Sequence, residues 1–267
     1  MEFRDQLNRT IILKKYPQRI VSIVPSQTEL LFDLKLNEKV VGITKFCIHP
    51  ACWHTTKTRI GGTKNVNINK IIELKPDLII ANKEENTKAD IETLEKIAPI
   101  YISDIKTLDD ALQMIRDIGK ITNKVSKAKT IETYINIQFE DIDYVRSLEM
   151  GIYKTTCCYL IWNNPYMTVG RDTFIHDMLA KCWFKNVFSI KRRYPVITID
   201  DIVKANPAVI FLSSEPYPFK QKHITELKQF LPNSKIMLVD GEMFSWYGSR
   251  LIKSGMYFKS LYAAIKT

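Results

Sequence analysis

Glycine and proline are scarce in this sequence, with 9 glycines and 11 prolines among 267 residues. This scarcity, without any low-complexity segment, excludes a collagen-like chain and a chain made mostly of linkers. Long uninterrupted apolar runs are also missing, so no transmembrane helix is predicted. Hydrophobic residues nevertheless make up 45% of the chain, enough to supply a packed core. We therefore expect one large domain or two small ones.

Catalytic signatures are missing as well. The sequence has no G-x-S-x-G elbow, no Walker A loop, no G-x-G-x-x-G and no H-E-x-x-H. We expect a protein that is not an enzyme and that holds no prosthetic group. The net charge is +10, but the densest basic run, Lys191-Arg192-Arg193, has only three members. Such scattered charge predicts a basic surface and no nucleic-acid partner.

Five cysteines occur, and an odd number does not indicate a disulfide framework. Cys157 and Cys158 lie in an apolar run and are expected to be buried thiols. Free thiols favour a reducing compartment. The first residues mix charges and lack the apolar core of a signal peptide. These features leave a cytoplasmic location open beside that of a trimmed, exported form.

The first part of the chain shows a strand–helix–strand pattern. Arg19–Val24 is a short β-branched run, and Pro25 ends it. Ser26–Glu29 has the form of a capping box for a following helix, and Val40–Ile43 is the next strand. Thr10–Leu13 is predicted as an edge strand. This order favours an α/β fold with a parallel sheet.

An internal repeat divides the chain. Residues 67–84 align without gaps to residues 198–215, so that Pro76 matches Pro207 at an offset of 131. Each copy has a helix cap, a short helix, a proline break and an apolar strand, followed by another helix and strand. The repeat predicts two related α/β lobes.

A helical segment lies between the two copies. One helix is predicted from Thr107 to about Ile121, and neither glycine nor proline interrupts residues 124–150. Apolar residues recur there at spacings of three and four: Val125, Ala128, Ile131, Ile135, Phe139, Ile142 and Val145. At ~1.5 Å per residue this helix would span ~40 Å, as a stiff connection. We therefore predict an N-terminal lobe (1–106), a helical linker (107–150) and a C-terminal lobe (151–267).

Several of these segments, taken in order, resemble the helical-backbone substrate-binding proteins of ABC importers. They are Ile20–Leu31, Val41–Thr44, Gly61–Thr63 and Leu74–Ala81. The sequence most resembles the cobalamin-binding proteins and iron-siderophore receptors of that family. The resemblance implies two Rossmann-like lobes with central parallel sheets joined by one long helix, and a ligand cleft between the lobes. It also implies a periplasmic or membrane-associated monomer, a small-molecule metal chelate as ligand and an ABC permease dimer as partner.

The resemblance assigns roles to individual residues. Aromatic side chains of cobalamin receptors sandwich the ligand, and the matching positions here are Phe46, Trp162 and Tyr194, with Tyr166 close to Trp162. Asn82 stands where the cobalamin receptors have a tryptophan. Permease docking would use two acidic residues, one in each lobe: Asp200 and, near the non-acidic repeat position Asn69, Glu73.

The segment from Cys47 to His54 is the densest in metal-capable side chains. Three interpretations are open: ligation of a metal by Cys47 and His49, lining of the ligand cleft with His49 as an axial ligand, and a structural loop around a packed Trp53. The spacing is not that of a zinc finger.

Further ligand-binding candidates follow apolar strands. Glu84 and Glu215 end the two repeats, either as ligand contacts or as solvated charges. Trp246, Tyr247 and Arg250 form an unusual loop that contacts the ligand or anchors the last helix.

Two functions compete on this evidence. The first is the substrate-binding component of an ABC-type importer for a corrinoid, haem or iron chelate. The alternative is a cytoplasmic metal-handling enzyme or chaperone that uses Cys47, His49 and Cys52 on the same two-lobed scaffold.

Overall fold

The computed structural model describes residues 1–148 and 155–266, which divide into two compact units. The N-terminal lobe comprises Met1–Ile105, Asp109–Tyr134 and Tyr247–Arg250. The C-terminal lobe comprises Lys106–Leu108, Ile135–Trp246 and Leu251–Thr267. The chain therefore returns to the N-terminal lobe for four residues before its last helix.

The N-terminal lobe is built on a parallel sheet with helices between its strands. Its elements, with the helices that lead out of it, are β1 (Glu2–Arg4), β2 (Thr10–Ile12), β3 (Ile20–Ser22), α1 (Pro25–Asp33), β4 (Val40–Ile43), α2 (Ala51–Thr56), β5 (Thr58–Arg59), α3 (Ile68–Glu73), β6 (Leu78–Asn82), α4 (Lys88–Leu94), β7 (Ile100–Ser103), α5 (Leu108–Ile121) and α6 (Val125–Leu148). The strand order is β5-β4-β3-β6-β7, and every pairing in this sheet is parallel. The central strands β3 and β6 are buried along their whole length, as expected for a sheet covered on both faces.

Of two local predictions in this lobe, one is wrong and one is confirmed. Ser26–Glu29 is not a capping box: Val24 is the N-cap and makes no side-chain cap bond, because Pro25 already opens α1 with its fixed φ angle. Residues Thr10–Ile12 do form the predicted edge strand, in a sheet apart from the parallel one. This strand, β2, pairs with β1 in a separate two-stranded antiparallel sheet.

The C-terminal lobe repeats the architecture. Its elements are β8 (Thr155–Trp162), β9 (Met167–Thr168), α7 (Phe174–Lys181), β10 (Phe184–Asn186), α8 (Ile199–Ala205), β11 (Val209–Ser213), α9 (Gln221–Lys228), β12 (Lys235–Val239), α10 (Glu242–Ser245) and α11 (Leu251–Lys266). The order β10-β8-β11-β12 is parallel, and the short β9 pairs antiparallel with β8. Apolar side chains of β8, β11 and α9 form one buried cluster that includes Leu160, Ile210 and Leu227.

The predicted repeat is confirmed in both lobes. Asn67 caps α3 by accepting a hydrogen bond from the Lys70 amide, and Thr198 caps α8 in the same way with Asp201. Strands β6 and β11 follow, and then α4 with β7 and α9 with β12. The fold class is therefore α/β, with two mainly parallel sheets in two lobes.

The long helix is α6. It contributes Val125–Tyr134 to the N-terminal lobe and its residues from Ile135 onward to the C-terminal lobe. The predicted end at Met150 and the linker boundary at 150/151 lie outside the described residues, as does the side chain of Val145. The two boundaries between the three predicted segments stay predictions.

Candidate functional site

The topology places most candidate residues at one edge of each sheet. In a parallel sheet, the loops that follow the strands gather at the carboxyl edge, where open α/β folds bind ligands. In the N-terminal lobe Phe46 follows β4, and Glu84 follows β6, whose last residue is Asn82. The carboxyl edge of the C-terminal lobe carries a second set after β8, β10, β11 and β12: Trp162, Tyr166, Tyr194, Glu215 and Trp246.

Three aromatic side chains keep accessible ring surface at these edges. Phe46 is 51% exposed, with the Lys45 ammonium 5.0 Å from its ring centroid. Trp162 is 40% exposed and meets the Tyr217 ring edge-on at a centroid distance of 5.7 Å. Tyr194 is half-buried. Flat accessible rings are suited to stacking on a planar ligand.

The Cys47–His54 loop is held by its own packing. Cys47 is fully buried, and its Sγ lies 3.1 Å from both the Thr28 and the Thr44 hydroxyl oxygen. Burial raises the pKa of this thiol. Trp53 is 3% exposed and perpendicular to Phe32, with ring centroids 5.4 Å apart. Both side chains are therefore part of the core of the N-terminal lobe.

Metal ligation by this loop gains no geometric support. Within residues 1–148 and 155–266, no group of three or more histidine, cysteine and acidic side chains is arranged to hold a metal ion. His49 is half-buried, and Cys52, an exposed residue, lies on α2. His54 instead contacts the Cys47 carbonyl oxygen through Nδ1 at 3.3 Å.

Asn82 shapes the turn after β6. Its Nδ2 donates to the carbonyl oxygen and to the Oγ of Ser103, at 3.2 and 3.0 Å. Its Oδ1 accepts the backbone amides of Glu84 and Glu85, at 2.8 and 3.1 Å. Since both amide hydrogens and both oxygen lone pairs are then used, the buried side chain has no remaining capacity for a ligand.

Glu215 is bound within the C-terminal lobe. Its Oε1 accepts hydrogen bonds from Ser245 Oγ at 2.5 Å and from Trp246 Nε1 at 3.2 Å. Burial raises the pKa of this carboxyl, and the bonds from Ser245 and Trp246 oppose that rise. Trp246 is itself buried. The indole therefore closes the loop after β12 onto the end of β11.

Tyr247 and Arg250 belong to the four-residue segment in the N-terminal lobe, and both are buried. The Tyr247 hydroxyl donates to Glu85 Oε1 at 2.6 Å. Arg250 forms a two-pronged ion pair with Glu29, at 2.8 and 3.0 Å. These partners were not predictable from the sequence, since Glu29 has the position expected of a capping residue.

The two predicted docking acids are accessible. Asp200 is exposed in the first turn of α8, and Glu73 is exposed at the end of α3.

His176 lies on α7, where Nδ1 is 3.3 Å from the Asn186 side-chain nitrogen. Among the described residues, no helix combines the length and the apolar character needed to cross a bilayer.

Two α/β lobes, each with accessible aromatic rings at the carboxyl edge of a mainly parallel sheet, define a two-lobed binding protein. The sequence matches the family model of periplasmic binding proteins over residues 20–235. The protein belongs to that family. It is therefore a binding protein and not an enzyme, as the sequence predicted.

Two relatives illustrate the family membership. The chain is 29% identical over 212 residues to an uncharacterized ABC transporter substrate-binding lipoprotein, YvrC, of Bacillus subtilis (strain 168), covering 77% of this chain and 67% of the relative. It is 25% identical over 202 residues to the vitamin B12-binding protein of Vibrio vulnificus (strain CMCP6), covering 73% and 71%.

Solved structures show the same fold. The periplasmic vitamin B12-binding protein BtuF of Vibrio cholerae has a TM-score of 0.79 at 20% identity, covering 94% of this chain and 99% of that one. The periplasmic haem-binding protein RhuT of Roseiflexus sp. RS-1 has a TM-score of 0.79 at 18% identity, covering 93% and 97%. The catecholate-siderophore binding protein VctP of Vibrio cholerae has a TM-score of 0.80 at 14% identity, covering 97% and 99%.

Proposed function

We propose that this protein is the substrate-binding component of an ABC-type importer and that its ligand is a corrinoid, haem or ferric chelate. The observation that carries this proposal is the exposed aromatic surface at the carboxyl edge of each sheet: Phe46 in the N-terminal lobe, Trp162 and Tyr194 in the C-terminal lobe. Relatives and fold neighbours named for vitamin B12, haem or siderophores support it. The metal centre would arrive with the ligand and leave with it.

Permease docking is a second part of the proposal. Asp200 and Glu73 are exposed, each on a helix of a different lobe, and would pair with arginines of a permease dimer. The variant D200K/E73K is expected to lose ligand uptake in cells that carry the importer, while the purified variant keeps its ligand affinity. Uptake equal to that of the wild-type protein would contradict this docking role.

The location outside the cytoplasmic membrane is proposed from the relatives, which are a lipoprotein and periplasmic proteins. We further propose that the protein acts as a monomer. Light scattering on the purified protein tests the monomer, since a stable dimer would have twice the 31.1 kDa mass of one chain.

Direct titration tests the ligand. The purified protein is titrated with cyanocobalamin, haemin and an iron(III) tris-catecholate, followed by calorimetry and by quenching of tryptophan fluorescence. At least one of these ligands is expected to bind with a Kd of about 1 μM or tighter, equivalent to about −8 kcal/mol. Absence of binding for all three would overturn the proposed function.

A further inference from the structure

Two loops of the C-terminal lobe run side by side at the carboxyl edge of its sheet. Residues 169–173 lead from β9 into α7, and residues 187–198 lead from β10 into α8. The Gly170 amide donates to the Arg193 carbonyl oxygen at 2.7 Å, and the Arg171 amide donates to the Lys191 carbonyl oxygen at 3.1 Å. These bonds hold the two loops in register as one ribbon.

Close backbone packing at Gly170 and hydrogen bonds from Asn186 fix the geometry of the ribbon. A Cβ atom at Gly170 would lie 2.6 Å from the Lys191 carbonyl oxygen, so only glycine allows this approach. The buried Asn186 side chain donates to the Val169 carbonyl oxygen at 2.8 Å and accepts the Phe188 amide at 2.9 Å. The side chains on the ribbon are therefore carried by a backbone with fixed geometry.

Four cationic side chains lie on this structure, and we call Arg171, Lys191, Arg192 and Arg193 the basic ribbon. Arg171 and Arg193 are exposed, and the Arg192 side chain is 70% exposed. Asp172 is the one acidic residue within the two loops, 3.7 Å from Arg192 Nε and 2.6 Å from the Arg193 amide. Asp201, in the first turn of α8, is a second acid that interacts with Lys191, so four cations and two carboxylates leave an excess of positive charge.

The aromatic residues of the proposed site lie at the same edge. Tyr194 directly follows the basic ribbon in the chain, and the Arg193 guanidinium is 5.8 Å from its ring centroid. Trp162 is the last residue of β8, whose neighbour in the sheet is β10. The acids Glu215, Asp240 and Glu242 follow β11 and β12, on the opposite side of β8 from β10, and Glu215 is bonded to Ser245 and Trp246. The edge therefore offers flat rings together with cations.

We propose that the ligand carries anionic peripheral groups, carboxylates or catecholates, and that the basic ribbon binds them beside Trp162 and Tyr194. This inference rests on the proposed function and narrows it to an anionic iron chelate, such as a haem with free carboxylates or a ferric catecholate. Guanidinium groups bind such oxygen anions with paired, charge-assisted hydrogen bonds. A corrinoid such as cyanocobalamin carries neutral side-chain amides and one phosphodiester, so it would supply less counter-charge to the ribbon than a haem with two carboxylates or a ferric tris-catecholate.

Charge reversal tests the assignment. The variant R171E/R192E is expected to bind haemin or an iron(III) tris-catecholate about tenfold more weakly or worse, because repulsion replaces charge-assisted bonds. The control K204E/K228E changes the net charge equally at exposed positions at the ends of α8 and α9, on the amino edge of the same sheet. It is expected to keep wild-type affinity. R171K/R192K, which retains the charge but not the paired guanidinium donors, should bind more tightly than R171E/R192E and more weakly than the wild-type protein. Thermal unfolding confirms that each variant is folded.

The two proposals fail in different ways. If wild-type protein binds cyanocobalamin but neither anionic chelate, or if R171E/R192E loses no more affinity than K204E/K228E, the anionic ligand class is wrong and the binding function stands. If none of the three probes binds, both proposals are wrong.

Salt gives a further test. Chelate binding by the wild-type protein should weaken as salt rises from about 50 mM to about 500 mM, since ions screen the attraction between exposed charges.

Discussion

Arg250 donates two hydrogen bonds to the carboxylate of Glu29, from Nε at 2.8 Å and from Nη2 at 3.0 Å, inside the N-terminal lobe. Both side chains are less than 10% exposed. The pair therefore fixes the segment Tyr247–Arg250 to helix α1, far away in the sequence.

Removing one partner of this ion pair should strongly destabilise the protein. Arg250→Ala leaves the Glu29 carboxylate buried without its counter-charge, so the free energy of unfolding should fall by about 3–5 kcal/mol. The matched control is Lys259→Ala, which breaks a 2.6 Å ion pair with Asp141 whose carboxylate is 55% exposed. The control should cost less than about 1 kcal/mol. Urea denaturation measures both, and equal losses would show that the buried pair has no special role.

The stability of the C-terminal lobe should depend on pH through Glu215. Its folded-state pKa is raised above the reference value of 4.5, chiefly by burial, so the folded protein holds this proton more tightly than the unfolded chain does. The contribution is therefore most favourable below pH 4.5 and is lost as the pH rises through the folded pKa. Relative to Glu215→Gln, the wild-type protein should lose stability as the pH rises over the interval above 4.5. A relative gain over that interval, in urea melts, would show that the bonds from Ser245 and Trp246 outweigh burial.

Only one of the five thiols should react in the folded protein. Cys52 is exposed, whereas Cys47, Cys157, Cys158 and Cys182 are buried. Burial raises the pKa of Cys158 to about 12 and raises those of the other three buried thiols as well. A thiol-specific chromogenic reagent should therefore titrate one cysteine in buffer and five in denaturant, since thiolate is the reactive form. Cys52→Ser should abolish the reaction of the folded protein. A thiol that still reacts rapidly in this folded variant would contradict the described burial of the other four.

Trp162 should contribute to ligand affinity with little effect on stability. Its ring is 40% exposed, so Trp162→Ala removes ring surface available for stacking while leaving the core intact. We expect about tenfold weaker binding, comparable to the loss of one aromatic contact. Phe230→Ala is the control, because Phe230 is an equally accessible aromatic just beyond α9, at the amino edge of the same sheet. Equal affinities for the two variants would remove Trp162 from the site.

Much of the fold followed from local patterns. The repeat between residues 67–84 and 198–215 predicted two α/β lobes because caps, proline breaks and apolar strands are encoded by neighbouring residues. The uninterrupted run after Lys124 predicted helix α6 for the same reason. The prediction for the start of α1 is wrong, since a Ser-x-x-Glu pattern and a proline at the first helical position compete for the same turn.

The candidate site was less predictable, because exposure depends on residues far apart in the chain. Trp53 and Trp246 look like Trp162 in sequence, yet only Trp162 keeps an accessible ring. Likewise, the basic run at residues 191–193 looked too short to matter. In the structure, backbone hydrogen bonds place the loop that carries Arg171 beside this run, which adds a fourth cation to it.

The sequence by itself determined the two lobes, their mainly parallel sheets and the helix that both share, because periodicity and capping act within a few residues. Only the tertiary structure decided which side chains remain available. Asn82, Glu215 and Arg250 are bonded to partners brought close by folding, whereas Phe46 and Trp162 keep accessible ring surface and Arg171 and Arg192 stay exposed. Folding must satisfy buried polar groups internally, so the polar residues left for a ligand are those that the core does not use.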